Sequence, residues 1–213
     1  MQRGRFITLE GGEGAGKSSL LPRLRAWLES QGIAVIATRE PGGTPLAERI
    51  RGVLADPAAA PMEAETELLL MAAARAEHLA RVIRPALARG AWVLCDRFSA
   101  STTAYQGWGR GVPPQRLAVI QEWVLQGLVP DRILLLDVPP EVGLARSLRR
   151  GTGPCRFEEE TLAFHQRVRQ GFLTMAREEP QRMAVIDALQ SPEAVEAAAR
   201  AAVAPLLAMV EAP

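Results

Sequence analysis

A glycine-rich stretch near the start of the chain carries the residue types that bind phosphate groups. Residues 11–18 fit the pattern G-x-x-x-x-G-K-[S/T]. In this pattern backbone N–H groups converge on phosphate oxygens, the lysine reaches the β- and γ-phosphates, and the final hydroxyl is a ligand of Mg²⁺. The pattern is informative where a strand precedes it and a helix follows, and both are predicted here. We therefore expect ATP to bind at Gly11, Gly12, Glu13, Gly14, Ala15, Gly16, Lys17, Ser18 and Ser19.

Lys17 is the only lysine in the chain, although lysine and arginine together account for 25 residues. Arginine therefore serves at almost every other position that needs a positive charge. A position that nevertheless has lysine indicates a need for a compact ammonium group on a flexible stem. This supports a catalytic role for Lys17 at the phosphate that is transferred.

Two aspartates at the ends of apolar segments are candidates for the acidic partner of Mg²⁺. Ligands of parallel sheets gather at the carboxyl ends of the strands, so either Asp96 or Asp137 is suitably placed. Asp137 has the more typical apolar run before it. Asp96 is followed by Arg97 and by the polar stretch 99–106, which we interpret as a binding loop. We favour Asp96 with Ser18 as the metal ligands, and the alternative role for Asp137 is structural or capping.

Several arginines are grouped in the second half of the chain. Arg146, Arg149 and Arg150 would share one helical face, and Arg156 follows a Gly/Pro-rich break. Such a group alone is usually a solvated surface. In a chain with a phosphate-binding loop, arginines on a lid can stabilise the charge of a phosphoryl group in transfer and exclude water. We predict a lid at about residues 146–158, with catalytic candidates Arg149, Arg150 and Arg156.

Strands and helices are predicted to alternate along the whole sequence. The apolar, β-prone runs are 6–10, 33–38, 91–96, 132–138 and 183–187. The segments with helical periodicity are 18–30, 45–54, 63–89, 114–126, 141–150, 158–179 and 192–210. Near-continuous apolar strands indicate burial on both faces of a sheet. The prediction is an α/β fold of three layers, with a doubly wound, parallel, five-stranded sheet.

Composition places limits on the class of protein. The 213 residues are 48% hydrophobic and 23% charged, which is typical of one globular domain spanning residues 1–213. A net charge of +1 gives no overall field that would attract nucleic acid or an anionic membrane, and we expect neither as a partner. Cys95 and Cys155 form no disulfide framework; Cys95 is interpreted as core, and a cytoplasmic location is expected.

Together these motifs resemble those of the thymidylate kinases of the bacterial type, over essentially the whole chain. The resemblance is carried by FITLEGGEGAGKSS, TREPGGT, AAARAEH, CDRFSASTTAYQG, LLLDVPPEVGL and RRGTGPCRFEEE. The glycine-rich loop is shared by many families, whereas REPGGT with DRF and STTAYQG is far more specific. The resemblance implies a P-loop nucleoside monophosphate kinase-like fold that phosphorylates dTMP to dTDP with ATP and Mg²⁺. It also implies a homodimer, for which the helix at 63–89 is a candidate interface.

The resemblance implies a set of residues for the acceptor nucleotide. Glu13 is similar to the carboxylate that holds the sugar 3′-hydroxyl of dTMP. Arg51, Arg75 and Arg97 are similar to ligands of the dTMP phosphate or base, and Arg97 is also a catalytic candidate. Thr102 and Tyr105 occupy positions that contact the base and crowd the sugar 2′ position. The full set implied for dTMP is Glu13, Arg51, Met71, Arg75, Arg97, Thr102 and Tyr105.

Three positions distinguish this chain within the resemblance. Met71 stands where many members have a phenylalanine that stacks on thymine, and its thioether can still pack on a ring face. Gly14 stands where one branch has a catalytic arginine, so the resemblance implies that the catalytic arginine lies in the lid. Cys155 replaces an acidic residue of the lid.

A phosphate-binding loop is also found in proteins with other functions. A kinase for another monophosphate, such as dUMP, differs from the favoured one by a single methyl group in the substrate. A GTP-hydrolysing switch would need an Asn-Lys-x-Asp motif, which this chain lacks because it contains no asparagine. A non-catalytic nucleotide-binding module is the third interpretation, and the arginines of the predicted lid argue against it. His78 is interpreted as a surface or capping residue.

Overall fold

The structure is a computed structural model that describes residues 3–59, 61–149 and 156–208. Its strands form a single parallel sheet in the order β2-β3-β1-β4-β5, which confirms the predicted fold class. The strands are β1 (Phe6–Glu10), β2 (Val35–Arg39), β3 (Trp92–Asp96), β4 (Arg132–Asp137) and β5 (Met183–Asp187). β1 and β5 agree with the predicted bounds, and β3 and β4 differ by one residue at one end. β2 begins two residues later and ends one residue later than predicted.

Helices connect the strands and cover both faces of the sheet. They are α1 (Lys17–Ser30), α2 (Pro45–Ala55), α3 (Ala64–His78), α4 (Arg84–Ala88), α5 (Ser99–Thr102), α6 (Pro114–Leu125), α7 (Pro140–Arg149), α8 (Leu162–Glu178) and α9 (Pro192–Ala208). A π-helical segment, Leu79–Ile83, joins α3 to α4, and a second one, Thr103–Gly109, continues α5. Within the described residues no helix is long and apolar enough to cross a membrane.

The core consists of apolar layers on the two faces of the sheet. Ile7 and Leu9 of β1 pack with α1 and α9 on one face, while Phe6 packs with α4 on the other. Alternate side chains of a strand point to opposite faces, so burial on both faces requires the continuous apolar run seen in the sequence. Cys95 lies in the second of these layers, as predicted, and Cys155 lies outside the described residues.

Two predicted segments adopt a different local structure. The segment at 63–89 is continuous but widens into the π-helical turns just before Pro85. Proline lacks an N–H group and its ring clashes with the carbonyl four residues earlier, and a wider turn at this point relieves that conflict. The prediction of a loop at 99–106 is wrong, because the stretch is helical throughout. Ser101, Thr102 and Gln106 are buried, so the polar character of the sequence does not reflect a solvated loop.

The phosphate-binding loop between β1 and α1 lies directly against α7. A Cβ atom on Gly14 would lie 1.9 Å from the carbonyl oxygen of Gly143, and Gly14 has a φ of +64°. A Cβ atom on Gly143 would in turn lie 2.3 Å from the carbonyl oxygen of Glu13. Neither position accepts a side chain unless α7 moves away from the loop. Gly14 and Gly143 therefore set the distance between the loop and the helix that leads into the predicted lid.

We predict that Gly143→Ala destabilises the protein by about 1–3 kcal/mol, because the added methyl group overpacks the contact with the backbone of Glu13. The matched control is Gly52→Ala in α2, where a Cβ meets no atom within 4 Å. That change should stabilise the helix by up to about 1 kcal/mol. Urea denaturation of both variants measures the two effects, and equal stabilities would contradict the close contact.

Candidate active site

The first feature of the site is the meeting of two strand ends. Strands β1 and β3 are parallel neighbours with Leu9 opposite Asp96, so both strands end at the same edge of the sheet. The backbone N–H of Arg97 donates to the carbonyl oxygen of Leu9 at 2.9 Å. The glycine-rich loop after β1 and the Asp-Arg pair at the end of β3 are therefore held side by side.

Lys17 begins α1 and lies buried beneath the loop. Its Nζ donates to the carbonyl oxygens of Gly11 at 3.0 Å and of Gly12 at 2.8 Å. Burial, followed by the nearby positive charge of Arg97, lowers the pKa of Lys17 to about 8. The carboxylates of Asp96 and Glu13 partly oppose this shift. A phosphate anion beside Nζ would oppose it further and favour the charged ammonium group.

Arg97 connects the loop to the rest of the site. Its Nη1 donates to the carbonyl oxygen of Gly11 at 2.9 Å, and its Nη2 donates to Glu13 Oε1 at 2.7 Å. The guanidinium also lies over the ring of Tyr105, 4.9 Å from the ring centroid. Arg97 has a φ of +69°, which is uncommon for a residue with a side chain. Burial alone would lower the pKa of Arg97, but the Glu13 carboxylate raises it overall.

Glu13 is the charged partner that the loop presents to Arg97. Its Oε1 also accepts a hydrogen bond of 2.8 Å from the Tyr105 hydroxyl. Burial by itself would raise the pKa of Glu13, but Arg97, Lys17 and the Tyr105 hydroxyl lower it to about 2. Glu13 is therefore ionised at neutral pH and fixed in orientation by two side chains that come from another part of the chain.

The two predicted metal ligands line one cavity beside α1. Ser18 and Asp96 both contribute to its wall, and both offer oxygen atoms, which suit Mg²⁺. Asp137 instead receives a bidentate pair of hydrogen bonds from Arg169, at 2.7 and 2.8 Å. That ion pair supports the structural interpretation of Asp137. Within the described residues no group of three or more His, Cys, Asp or Glu side chains converges.

A second cavity is lined by Glu13 and Arg97. Its empty space, which includes the open solvent at its mouth, is about 710 Å³. All seven residues implied for the acceptor nucleotide line it: Glu13, Arg51, Met71, Arg75, Arg97, Thr102 and Tyr105. These residues come from the phosphate-binding loop, α2, α3, the end of β3 and the α5 region. Their contacts with a nucleotide stay predictions, but the structure brings the whole set together.

Arg75 is held by a buried polar network. Its Nε donates to Glu40 at 2.6 Å, and its Nη1 donates to the Thr102 hydroxyl at 2.9 Å. The other oxygen of Glu40 contacts His78 Nδ1 at 3.0 Å, and His78 Nε2 contacts the Thr38 hydroxyl at 2.7 Å. The interpretation of His78 as a surface or capping residue is therefore wrong. His78 is fully buried. Its contact with Glu40 orients the carboxylate that holds Arg75.

The two remaining acceptor candidates lie on the walls of the same cavity. Arg51 of α2 donates from Nη1 to the carbonyl oxygen of Pro41 at 3.1 Å. Met71 lies one helical turn before Arg75 on α3, as the spacing predicts, and is partly buried in the cavity wall. Pro41 also lines the cavity, so the REPGGT segment forms part of the wall in addition to connecting β2 with α2.

The arginines of the predicted lid are found in different environments. Arg146 donates to the carbonyl oxygen of Ala188 at 2.8 Å, beyond the end of β5. Arg149 is exposed at the end of α7. Arg150 lies outside the described residues. Arg156 is buried and makes an ion pair of 2.7 Å with Glu67.

Glu10 is a functional residue that the sequence reasoning missed. It ends β1, is fully buried, and accepts hydrogen bonds from the backbone N–H of Phe98 at 2.9 Å and from the Ser101 hydroxyl at 2.5 Å. Burial raises the pKa of Glu10 to about 7, although Ser101, Arg97 and Lys17 partly oppose the shift. Glu10 fixes the segment that follows Arg97. A charged residue closing an otherwise apolar strand was the available signal.

We predict that Glu10 makes stability fall with rising pH. Its pKa is about 7 in the folded protein against an ordinary value of 4.5, so the folded state binds the proton more tightly over that interval. At about 1.4 kcal/mol per pKa unit, wild type should lose up to about 3 kcal/mol between pH 4.5 and 7, relative to Glu10→Gln. Urea denaturation at pH 5 and pH 8 measures this difference. The exposed Glu29→Gln is the control, and a pH-independent difference for Glu10→Gln would contradict the buried, proton-binding carboxyl group.

Comparison with known proteins agrees with this geometry. The family model described as thymidylate kinase matches residues 9–199. A thymidylate kinase of Alkalilimnicola ehrlichii is 53% identical over 204 residues, which cover 96% of this chain and 94% of the relative. The thymidylate kinases of Magnetococcus marinus and Chromohalobacter salexigens are 55% and 57% identical, and each alignment covers 92% of this chain and 93% of the relative. The chain therefore belongs to the thymidylate kinase family of phosphotransferases.

Proposed function

We propose that this chain transfers the γ-phosphoryl group of ATP to dTMP and so forms ADP and dTDP for dTTP synthesis. The observation that carries the proposal is that the phosphate-binding loop and the second cavity share two residues. Glu13 belongs to the loop and lines the cavity, and Arg97 contacts the loop backbone and lines the same cavity. Two nucleotides bound on either side of this pair would place the donor and the acceptor phosphates next to each other.

The donor phosphates bind at the loop. Backbone N–H groups of the loop and the positive end of the α1 dipole attract the phosphate oxygens. Lys17 is already directed at the loop, where its ammonium group donates to two carbonyl oxygens of the loop itself. With ATP bound, the same group donates to the β- and γ-phosphates.

A divalent cation is generally needed by kinases of this family, and Mg²⁺ is the ion proposed here. Ser18 and Asp96 would hold it, in the cavity that both side chains line. Bound there, the ion would supply positive charge that neutralises the β- and γ-phosphate oxygens. Mg²⁺ is usually bound through one or two carboxylates together with substrate phosphates, so ATP would provide part of the coordination.

Phosphoryl transfer needs positioning and charge stabilisation more than a dedicated base. Arg97 provides a guanidinium whose orientation is set by Glu13 and by the ring of Tyr105. Arg149, at the exposed end of α7, is the described lid arginine that is available to contact the transferring group, with Arg150 as its neighbour in sequence. A lid at about 146–158 on a single domain of residues 1–213 would exclude water during this step.

The acceptor pocket favours a deoxyribonucleotide. The Glu13 carboxylate would accept from the sugar 3′-hydroxyl, and Tyr105, which donates to the same carboxylate at 2.8 Å, would lie beside the sugar ring. Met71 supplies a polarizable thioether against the base. The thymine methyl group contributes discrimination over dUMP of about 1–3 kcal/mol, which is why dUMP is the nearest competing acceptor.

A coupled assay of ADP release tests the proposal. With ATP and Mg²⁺ present, we expect dTMP to give the highest kcat/KM among dTMP, dUMP, UMP, CMP and AMP. The advantage over dUMP should be roughly tenfold to two hundredfold, as expected for one methyl group in an apolar pocket. Preference for any other acceptor would refute dTMP as the substrate, and ADP release without an acceptor would identify a hydrolase instead.

The same assay tests the role of Lys17. Lys17→Ala should lower kcat by at least about a hundredfold, because the variant loses the cation directed at the transferring phosphate. Arg89→Ala removes an exposed positive charge outside the site and should leave turnover unchanged. Wild-type turnover by Lys17→Ala would exclude the loop as the donor site.

We also propose that two copies of the chain form a homodimer. Helices α3 and α6 pack against each other, and their outer faces expose large apolar side chains at Leu69, Val119 and Trp123. Trp123 is 76% exposed in the single chain, which is a high exposure for an indole ring. A second copy of the chain seated on this surface would cover these side chains, and the helix at 63–89 would form part of the interface.

We predict that Trp123→Glu converts the dimer into a monomer, because it places a charge in an apolar contact. Sedimentation velocity measures the change as a halving of the mass. Leu148→Glu on α7 is the matched control, since Leu148 is 74% exposed and lies on a different surface. A monomeric wild-type protein, or a dimeric Trp123→Glu variant, would contradict the proposed interface.

A further inference from the structure

Glu67 makes ion pairs with two arginines in the interior of the protein. This residue of α3 is fully buried, and its carboxylate makes ion pairs with Arg156 at 2.7 Å and with Arg110 at 3.1 Å. It also accepts a hydrogen bond of 2.7 Å from Gln106 Nε2. Arg110 is shared with Glu160 at 2.5 Å, so the four charged groups balance. Glu67 and Arg156 are buried, whereas Arg110 and Glu160 are partly exposed. The two buried charges are stable only while they keep their partners.

The contacts of Arg156 run to α2 and α3. Its Nε donates to the carbonyl oxygen of Leu54 at 3.1 Å, and its backbone N–H donates to that of Ala55 at 3.2 Å. Together with the ion pair to Glu67, these hydrogen bonds attach both the guanidinium and the backbone of Arg156 to the wall of the acceptor cavity. A guanidinium in this environment anchors a chain segment, and this role differs from the phosphate contact expected from the sequence.

The residue after Arg156 reaches the acceptor cavity directly. Phe157 lines the cavity and meets Tyr105 edge-on, with ring centroids 5.9 Å apart. Leu54, Ala55 and Gln106 line it as well. Each of these residues is held by Arg156 or by Glu67. The ion-pair cluster therefore lies behind one wall of the cavity and fixes the residues that form it.

We propose that Glu67 and Arg156 are positioning residues for the acceptor nucleotide, and that Phe157, which they hold in place, contacts the acceptor. This inference rests on the proposed phosphorylation of dTMP. It assigns Arg156 to acceptor binding, whereas a transition-state arginine would act on the chemical step. The two roles separate in kinetics, because ground-state positioning of the acceptor changes its KM and a transition-state contact changes kcat.

The test is steady-state kinetics and calorimetric dTMP binding with the variants Arg156→Met and Glu67→Gln. Methionine keeps an unbranched apolar stem but lacks the guanidinium group and its charge. We expect each variant to raise the KM and Kd for dTMP at least tenfold, while kcat and the KM for ATP stay within threefold of wild type. The double variant should be no worse than the more affected single variant, because both changes disrupt one cluster.

Two controls keep the result interpretable. Arg149→Met, at the exposed end of α7, should lower kcat and leave the Kd for dTMP unchanged. Phe157→Ala breaks no ion pair, so it remains a test if Glu67→Gln fails to fold as judged by circular dichroism, and it should weaken dTMP binding at least threefold. A hundredfold loss of kcat in Arg156→Met, or an unchanged Kd for dTMP in Arg156→Met or Phe157→Ala, would overturn the inference. Absence of dTMP-dependent ADP release by wild type would instead refute the proposed function.

Discussion

The contact of Arg97 with the phosphate-binding loop is the interaction on which the site depends. One guanidinium binds the carbonyl oxygen of Gly11, the carboxylate of Glu13 and the face of Tyr105. These partners belong to two segments about ninety residues apart in sequence, and the contact exists because β1 and β3 are adjacent parallel strands. Without it, Glu13 would lose its main counter-charge, and the loop and the acceptor cavity would no longer share a wall.

Opposite charges stabilise this arrangement before the nucleotides bind. Lys17 and Arg97 are close enough for Arg97 to lower the pKa of Lys17, and the carboxylates of Asp96, Glu13 and Glu10 offset part of that repulsion. Phosphate groups would bring additional negative charge to the same place. The site is therefore arranged for a charge that arrives with the nucleotides, which is how preorganised electrostatic sites act in catalysis.

Buried polar networks position the acceptor residues from behind. Glu40 and His78 hold Arg75, while Glu67 holds Gln106 and Arg156. Each network joins α3 to segments that are distant in sequence, so each is a tertiary constraint on the cavity wall. Buried charges are costly to desolvate, and their pairing here restricts the side chains to one geometry.

Much of the fold and the position of the site could be predicted from local pattern. The apolar run of β1, the glycine spacing of the loop and the Asp-Arg pair at 96–97 each signal their role within a few residues of sequence. The roles of Glu10, Glu67 and His78 could not be predicted, because their partners lie about forty to ninety residues away in the chain. The helical state of 99–106 was missed because its polar side chains serve the site and hide the apolar periodicity.

Paired binding measurements on Arg97→Met test the central claim most directly. Calorimetry would compare the affinities of wild type and variant for dTMP and for a non-hydrolysable ATP analogue. The account predicts that both affinities fall, for dTMP by at least about tenfold, since one guanidinium supports the loop and the acceptor cavity together. A variant that binds either nucleotide with wild-type affinity would contradict the claim that Arg97 couples the two sites.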